Sequence, residues 1–214
     1  MGHMRTVLLL LLTMVAGRLG ADTFTLKDPP PAWHAVLQEL DSDQPVKSAF
    51  EELRRNPFHR LPRRFMGHLW WDQNHGLSLQ YEKPGQLTIN IVADGVYMGR
   101  PGETMKSLPA EQQEEVMQLF SRLFSWDVEW LDAEFSTEGE ISDGNEWTLR
   151  MRPKDEELSA KLNRIDLHGE DKVLRSILLD LRAGRTVEIR LSQQERPDAF
   201  TPEELQTAYP ALNE

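Results

Sequence analysis

The strongest constraint on the fold of this chain is a stretch whose apolar period is two. Phe65, Gly67, Leu69 and Trp71 alternate with Met66, His68 and Trp70, and Leu77, Leu79 and Tyr81 alternate with Ser78 and Gln80. Leu87, Ile89 and Ile91 then alternate with Thr88 and Asn90. Successive side chains of a strand point to opposite faces, so this period builds a sheet with one face in a core and the other in water. Asn74-His75-Gly76 and Lys83-Pro84-Gly85 separate the runs, and Asp94-Gly95 leads into Val96 to Met98. Asn, Pro and Gly at these places favour tight turns. Four short strands joined this way predict an antiparallel meander.

Helical periods flank the meander. Pro29-Pro30-Pro31 opens a helix that Asp28 can cap, with Trp33, Val36, Leu37 and Leu40 on one stripe. Val46, Ala49, Phe50 and Leu53 repeat that spacing and predict a second helix, stopped by Asn56-Pro57. A third is expected over 107–124, capped by Ser107 and carrying Val116, Leu119, Phe120, Leu123 and Phe124 on a wide apolar face. It either covers the core or acts as a lid over a cavity. Strands resume with Trp126, Val128 and Trp130, then with Trp147, Leu149 and Met151. Ile165 to Leu167 leads to a turn at His168-Gly169, and Val187, Ile189 and Leu191 form a further strand. Val173 to Leu181 is apolar and open to either assignment. Thr201-Pro202-Glu203-Glu204 predicts a last helical turn. With no linker or repeat, residues 22–214 read as a single sheet-rich α+β domain.

The first 21 residues read as a secretory signal peptide. Gly2 and His3 ahead of Met4 look like a cloning scar, Arg5 gives a positive start, and Val7 to Ala16 is apolar. Ten apolar residues are too few to span a bilayer core of about 30 Å, which takes about 20. Leu19-Gly20-Ala21 supplies small residues for cleavage. No Cys follows, so lipid anchoring is not expected, and the product is expected to be soluble, periplasmic and monomeric.

Composition narrows the chemistry. The 214 residues contain no Cys, which removes disulfide, thiolate-metal and thiol-nucleophile chemistry. A formal charge of −11 argues against wrapping nucleic acid. No HExxH, G-x-S-x-G, P-loop or G-x-G-x-x-G motif is present. No catalytic residue, cofactor or metal is therefore expected. His68 and His75 flank a turn and could face each other, as a surface pair or as ligands. One stretch opposes the global charge: Arg54, Arg55, His59, Arg60, Arg63 and Arg64 fall within eleven residues. It is either a solvated loop or an anion-facing edge that meets lipid headgroups or an acidic partner.

Several short motifs, in order, resemble the LolA family of periplasmic lipoprotein carriers. They are Ser48-Ala49-Phe50-Glu51, Phe65-Met66-Gly67-His68-Leu69-Trp70, Leu77 to Pro84, Asp94-Gly95, Trp147 to Lys154, and Asp180 to Thr186. The stretch after the first strand of the meander, Trp71-Asp72-Gln73-Asn74-His75, lacks the arginine that family carriers place there, which marks a divergent member. The resemblance implies a strongly curved antiparallel sheet, an unclosed barrel whose concave side is covered by α-helices. It also implies that Val173 to Leu181 is a strand, that 107–124 is a lid, and that acyl chains of a lipoprotein or other lipid-linked cargo lie between them. The cavity and lid would then be built by Trp33 and Leu37, by Phe65, Leu69, Trp71, Leu79, Tyr81, Ile89, Ile91 and Met98, by Val116, Leu119, Phe120 and Leu123, and by Trp147 and Leu149. Arg54, Arg55, Arg60, Arg63 and Arg64 would meet headgroups or a partner. An inner-membrane donor and an outer-membrane acceptor would be the partners. The alternatives are an envelope sensor using the same half-barrel without transport, and a hydrolase of envelope lipids, which needs a nucleophile and base in contact.

Overall fold

The computed structural model describes residues 21–109, 117–142 and 145–210. Twelve strands lie among them: β1 Asp22–Phe24, β2 Val46–Arg55, β3 Arg63–Asp72, β4 Gly76–Lys83, β5 Leu87–Val92, β6 Gly95–Gly99, β7 Lys106–Ser107, β8 Phe135–Ile141, β9 Glu146–Pro153, β10 Leu162–Glu170, β11 Val173–Leu181 and β12 Arg185–Glu195. They form one antiparallel sheet in the order β1-β8-β9-β10-β11-β12-β2-β3-β4-β5-β6-β7. The two ends of that order, β1 and β7, are not paired, so the half-barrel stays unclosed. Inward side chains of β3–β5 and of β9–β12 meet in one apolar cluster, which requires the sheet to bend. The meander expected at 65–98 is present as β3–β6, with turns where they were read.

Helix α1, His34–Leu40, is preceded by a 3-10 turn at Pro31–Trp33 and lies on the concave side with Trp33, Val36 and Leu37 buried. No side chain caps this turn, so Asp28 does not play the capping role expected of it. A π-helical turn, Met117–Ser121, runs into α2, Arg122–Phe124, and then α3, Val128–Glu134. Short α4, Glu156–Ser159, connects β9 to β10, and α5 is Pro202–Ala208. Helix α5 begins where the Thr-Pro-Glu-Glu pattern predicted a helical turn, and it starts with a reciprocal capping box between Thr201 and Glu204. It packs on the outer face of the meander, where Trp70, Val92, Phe200, Ala208 and Tyr209 form a second small cluster. Ser78 and Asn90 point outward into it and donate to the Ala208 carbonyl at 2.5 and 3.0 Å.

Four expectations are corrected. Val46 to Leu53 is not a helix but the central strand β2, paired with β12 and β3. Phe50 faces the concave core while Leu53 is buried on the other face, so two buried faces of a strand imitated one helical stripe. Trp126, Val128 and Trp130 are not a strand: Asp127 accepts from the Trp130 N–H at 3.0 Å and caps α3. Three alternating residues are also compatible with i and i+4 along a helix, and the cap decides. Ser107 does not cap a helix but pairs with Tyr97 as the end of β7, while 110–116 of that expected helix lie outside the described residues. His168-Gly169 lies within β10 rather than at a turn; the reversal comes at Asp171, which takes a positive φ of 52°. By contrast, Val173–Leu181 is a strand along its whole length. The expected leader, apart from Ala21, lies outside the described residues. No helix among the described residues is long and apolar enough to cross a membrane.

Candidate functional site

Antiparallel order puts every second connection at the same end of the half-barrel. The turns at 56–62, 84–86, 100–105 and 182–184 therefore share one end, here the upper end, and Gly184 sits beside Pro57. Below it the concave face is filled. Trp33 packs against Phe24 at 5.4 Å and edge-on to Trp147 at 6.2 Å. Gly139 makes room for it, since a Cβ there would come within 2.4 Å of the Trp33 ring. Gly169 does the same for Trp147, whose indole N–H donates to the Asp171 carbonyl at 3.0 Å. At the lower end a cleft of about 70 Å³ remains, lined by Leu69, Trp71, Leu123, Phe124, Trp126 and Leu191 among others.

The upper end is different. A groove of about 710 Å³ opens between the ends of β3–β6, within the range of about 300–1,000 Å³ that holds small ligands. Its wall is Phe65, Tyr81, Leu87, Ile89 and Met98, and its mouth carries Arg54, Pro84, Gly85, Gln86, Arg100, Pro101 and Glu103. These wall positions lie on the strand phase that faces inward.

A polar network closes the floor beside β2. Glu52 is 2% exposed and accepts from the Tyr81 hydroxyl at 2.7 Å. The Arg54 guanidinium bonds to both oxygens of Glu52 and lies over the Phe65 ring at 4.5 Å. Burial, reinforced by the neighbouring Glu52, pushes the Tyr81 hydroxyl far above its ordinary value, so it stays a donor. The hydrogen bond to Glu52 raises the Arg54 guanidinium above its ordinary value. A buried carboxylate is tolerated where its lone pairs are met this way.

Of the residues singled out from sequence, Trp33, Leu37, Leu69, Trp71, Leu79, Tyr81, Ile91, Leu123, Trp147 and Leu149 are buried in the single concave cluster. Phe65, Ile89, Leu119 and Phe120 are partly buried against it, and Met98 lines the groove. Val116 lies outside the described residues. Phe65, Tyr81, Ile89 and Met98 border the groove, whereas Trp33, Trp147 and Leu149 fill the space behind it. Glu52, Leu87 and Arg100 were not singled out. Alternation would have placed Leu87 beside Ile89, and reading β2 as a strand would have set Phe50, Glu52 and Arg54 on one face. His68 and His75 do not face each other: they meet Glu82 at 3.2 Å and Asp72 at 2.7 Å respectively. Among the described residues no cluster of three or more His, Asp or Glu could hold a metal ion.

Comparison with solved structures finds low-identity likenesses. The LolA superfamily protein NE2245 from Nitrosomonas europaea is 10% identical, with 83% of this chain and 97% of that one covered and a TM-score of 0.46. A putative outer membrane lipoprotein-sorting protein domain from Vibrio parahaemolyticus is 10% identical, covering 80% and 95% with a TM-score of 0.44. MucB in the Pseudomonas aeruginosa MucA/MucB complex is 12% identical, covering 82% and 59% with a TM-score of 0.47. No curated protein matches. Over residues 31–199 the sequence matches the family described as outer membrane lipoprotein carrier protein LolA-like. An unclosed antiparallel half-barrel with helices on its concave side, and a family match across most of its length, make this chain a divergent member of the LolA-like family.

Proposed function

We propose that the protein is a periplasmic carrier that shelters an acyl chain of a lipoprotein or lipid-linked cargo in the upper groove. The observation that supports this most is the contrast between a groove of about 710 Å³ and the tightly filled core behind it. Each CH₂ taken out of water is worth about 0.8 kcal/mol, so a chain of about sixteen carbons needs roughly 12 kcal/mol of shelter. Leu87, Ile89, Met98 and Phe65 offer an apolar wall of suitable kind. Met98 is unbranched and polarizable and adapts to chains of varied shape. Arg100 stands at the mouth beside Glu103, and Arg54, although paired with Glu52, keeps N–H groups that can meet a polar linkage at the exit. The buried Glu52 fixes Arg54 in that place.

The role is binding rather than catalysis, the chain acting between a donor in the inner membrane and an acceptor at the outer membrane. Residues 22–214 form the working domain after removal of the leader.

Gently purified protein, read by native mass spectrometry with lipid extraction, tests this. Retained amphiphile, displaced by added fatty acid, is the expected result, and Ile89→Asp should abolish it. A protein that never retains or accepts an amphiphile would overturn the carrier reading. A stable protein partner with no acyl competition would favour the envelope sensor instead.

A further inference from the structure

Among the described residues, the two most exposed large apolar side chains sit on one short turn. Phe58 is 89% and Leu61 79% exposed, both between β2 and β3. The turn is built to hold them outward. The Asn56 side chain accepts from the Phe58 N–H at 3.0 Å, the Asn56 carbonyl accepts from the His59 N–H at 2.9 Å, and Pro57 and Pro62 restrict the backbone on either side.

Arginines surround this tip, and they divide into two kinds. Arg54 and Arg64 are already held by Glu52 and Glu51. Arg55, Arg60 and Arg63 are exposed, and no carboxylate among the described residues lies within 4.0 Å of them. Exposed carboxylates at the same end stand elsewhere: Glu82 at the end of β4, Glu103 after β6, and Asp155, Glu156 and Glu157 after β9.

We infer that the 56–63 turn is a bilayer-docking element. Phe58 and Leu61 enter the headgroup boundary of an anionic membrane while Arg55, Arg60 and Arg63 meet its phosphates. Apolar tips ringed by cations are what an interfacial contact requires. Two protruding side chains on a narrow tip offer far less area than the roughly 800 Å² per partner of a stable protein interface, whereas a fluid bilayer accepts such a tip. The net charge of −11 does not forbid it. The Debye length is about 8 Å at physiological salt, so distant carboxylates are screened while arginines at the surface are not. The groove opens at the same end, so docking brings its mouth to the membrane. The proposal stands apart from acyl binding, because it concerns the vacant protein as well.

Vesicle co-sedimentation of the mature chain tests it. Phosphatidylglycerol-containing vesicles should bind the protein, and pure phosphatidylcholine vesicles should bind it at least tenfold less. Phe58→Ser with Leu61→Ser should lower partition about tenfold without moving the thermal midpoint, since both side chains are in water already. Arg55→Gln, Arg60→Gln and Arg63→Gln together should remove the preference for anionic lipid, whereas Arg64→Gln should leave it. The chain has no cysteine, so Phe58→Cys can carry a single environment-sensitive fluorophore, which should shift to the blue on adding anionic vesicles. Equal binding to both vesicles, an unshifted fluorophore, or unchanged partition of the Phe58/Leu61 variant would each overturn the proposal. An unsubstituted chain that takes up amphiphile but does not bind anionic vesicles would sink this inference and leave the carrier reading standing.

Discussion

One sheet serves two purposes in its two halves. On the side of β8–β11, inward residues are sealed: Leu149, Met151 and Ile165 are fully buried, and Trp33 packs against Gly139. On the side of β3–β6, Leu69, Leu77, Ile91 and Val96 are buried too, yet at the upper ends of these strands Phe65, Leu87 and Ile89 are only partly covered. Helix α1 packs on β11 and α3 on β8, while α2 reaches β3 at its lower end, where Phe124 lies 6.0 Å from Trp71. What differs is not the strand pattern but what stands on it. Close-packed interiors carry stability, and an unfilled groove forfeits contacts. The filled half therefore stabilises a molecule whose other half leaves apolar surface available to a ligand.

Four experiments would break or sharpen that contrast. The largest effect is expected in the filled half, where Trp33→Ala should cost about 3–5 kcal/mol in urea unfolding by opening a cavity between Phe24 and Trp147. A loss below about 1 kcal/mol would mean that this half is not the stabilising one. Next, Gly139→Ala should cost about 1–3 kcal/mol, because the new methyl must displace the Trp33 ring. In the open half, Tyr81→Phe removes one donor from Glu52 and should cost about 1 kcal/mol in the same assay, while the thermal midpoint drops by a few degrees. Cost equal to that of Trp33→Ala would erase the distinction between the halves.

The smallest effect is on pH. A backbone hydrogen bond from Trp130, with help from Arg122, lowers the Asp127 carboxyl below its ordinary value. A hydrogen bond from Arg152 lowers that of Glu138 below its ordinary value. Both groups bind fewer protons folded than unfolded above their folded values. Their contribution is complete above the ordinary value of 4.5 for Glu and is lost as pH falls through the depressed values. Thermal midpoints should thus decline only below about pH 4.5, by an amount small for such partly exposed, solvent-screened pairs. A midpoint that rises on acidification would contradict this.

Much of the architecture was legible in the residues. Period two from Phe65 to Met98 fixed the meander, and Thr201 to Glu204 announced α5, because in both places the local pattern and the tertiary environment agree. Strand β2 was misread since it lies in the middle of the sheet, with apolar residues on both faces; Val46, Phe50 and Leu53 satisfy a helix as well as a strand buried twice. That misreading also hid Glu52, whose partner Tyr81 is 29 positions away and becomes its neighbour only across β3. Which apolar residues border a void and which fill one depends on how the chain crosses the concave side. Pattern therefore grouped Trp33 with Met98, although one plugs the interior and the other borders open space.

The outer attachment of α5 has a mechanical consequence. Ser78 and Asn90 are each one residue from Leu77, Leu79, Ile89 and Ile91 along the same strands, and both grip the Ala208 carbonyl from behind, while the Tyr209 hydroxyl ties down the Gly76 carbonyl at 2.8 Å. The strands whose upper ends line the groove are thus buttressed from without, lower down. Their stiffness is borrowed from the tail of the chain, and severing that tail would slacken the lining from its far side.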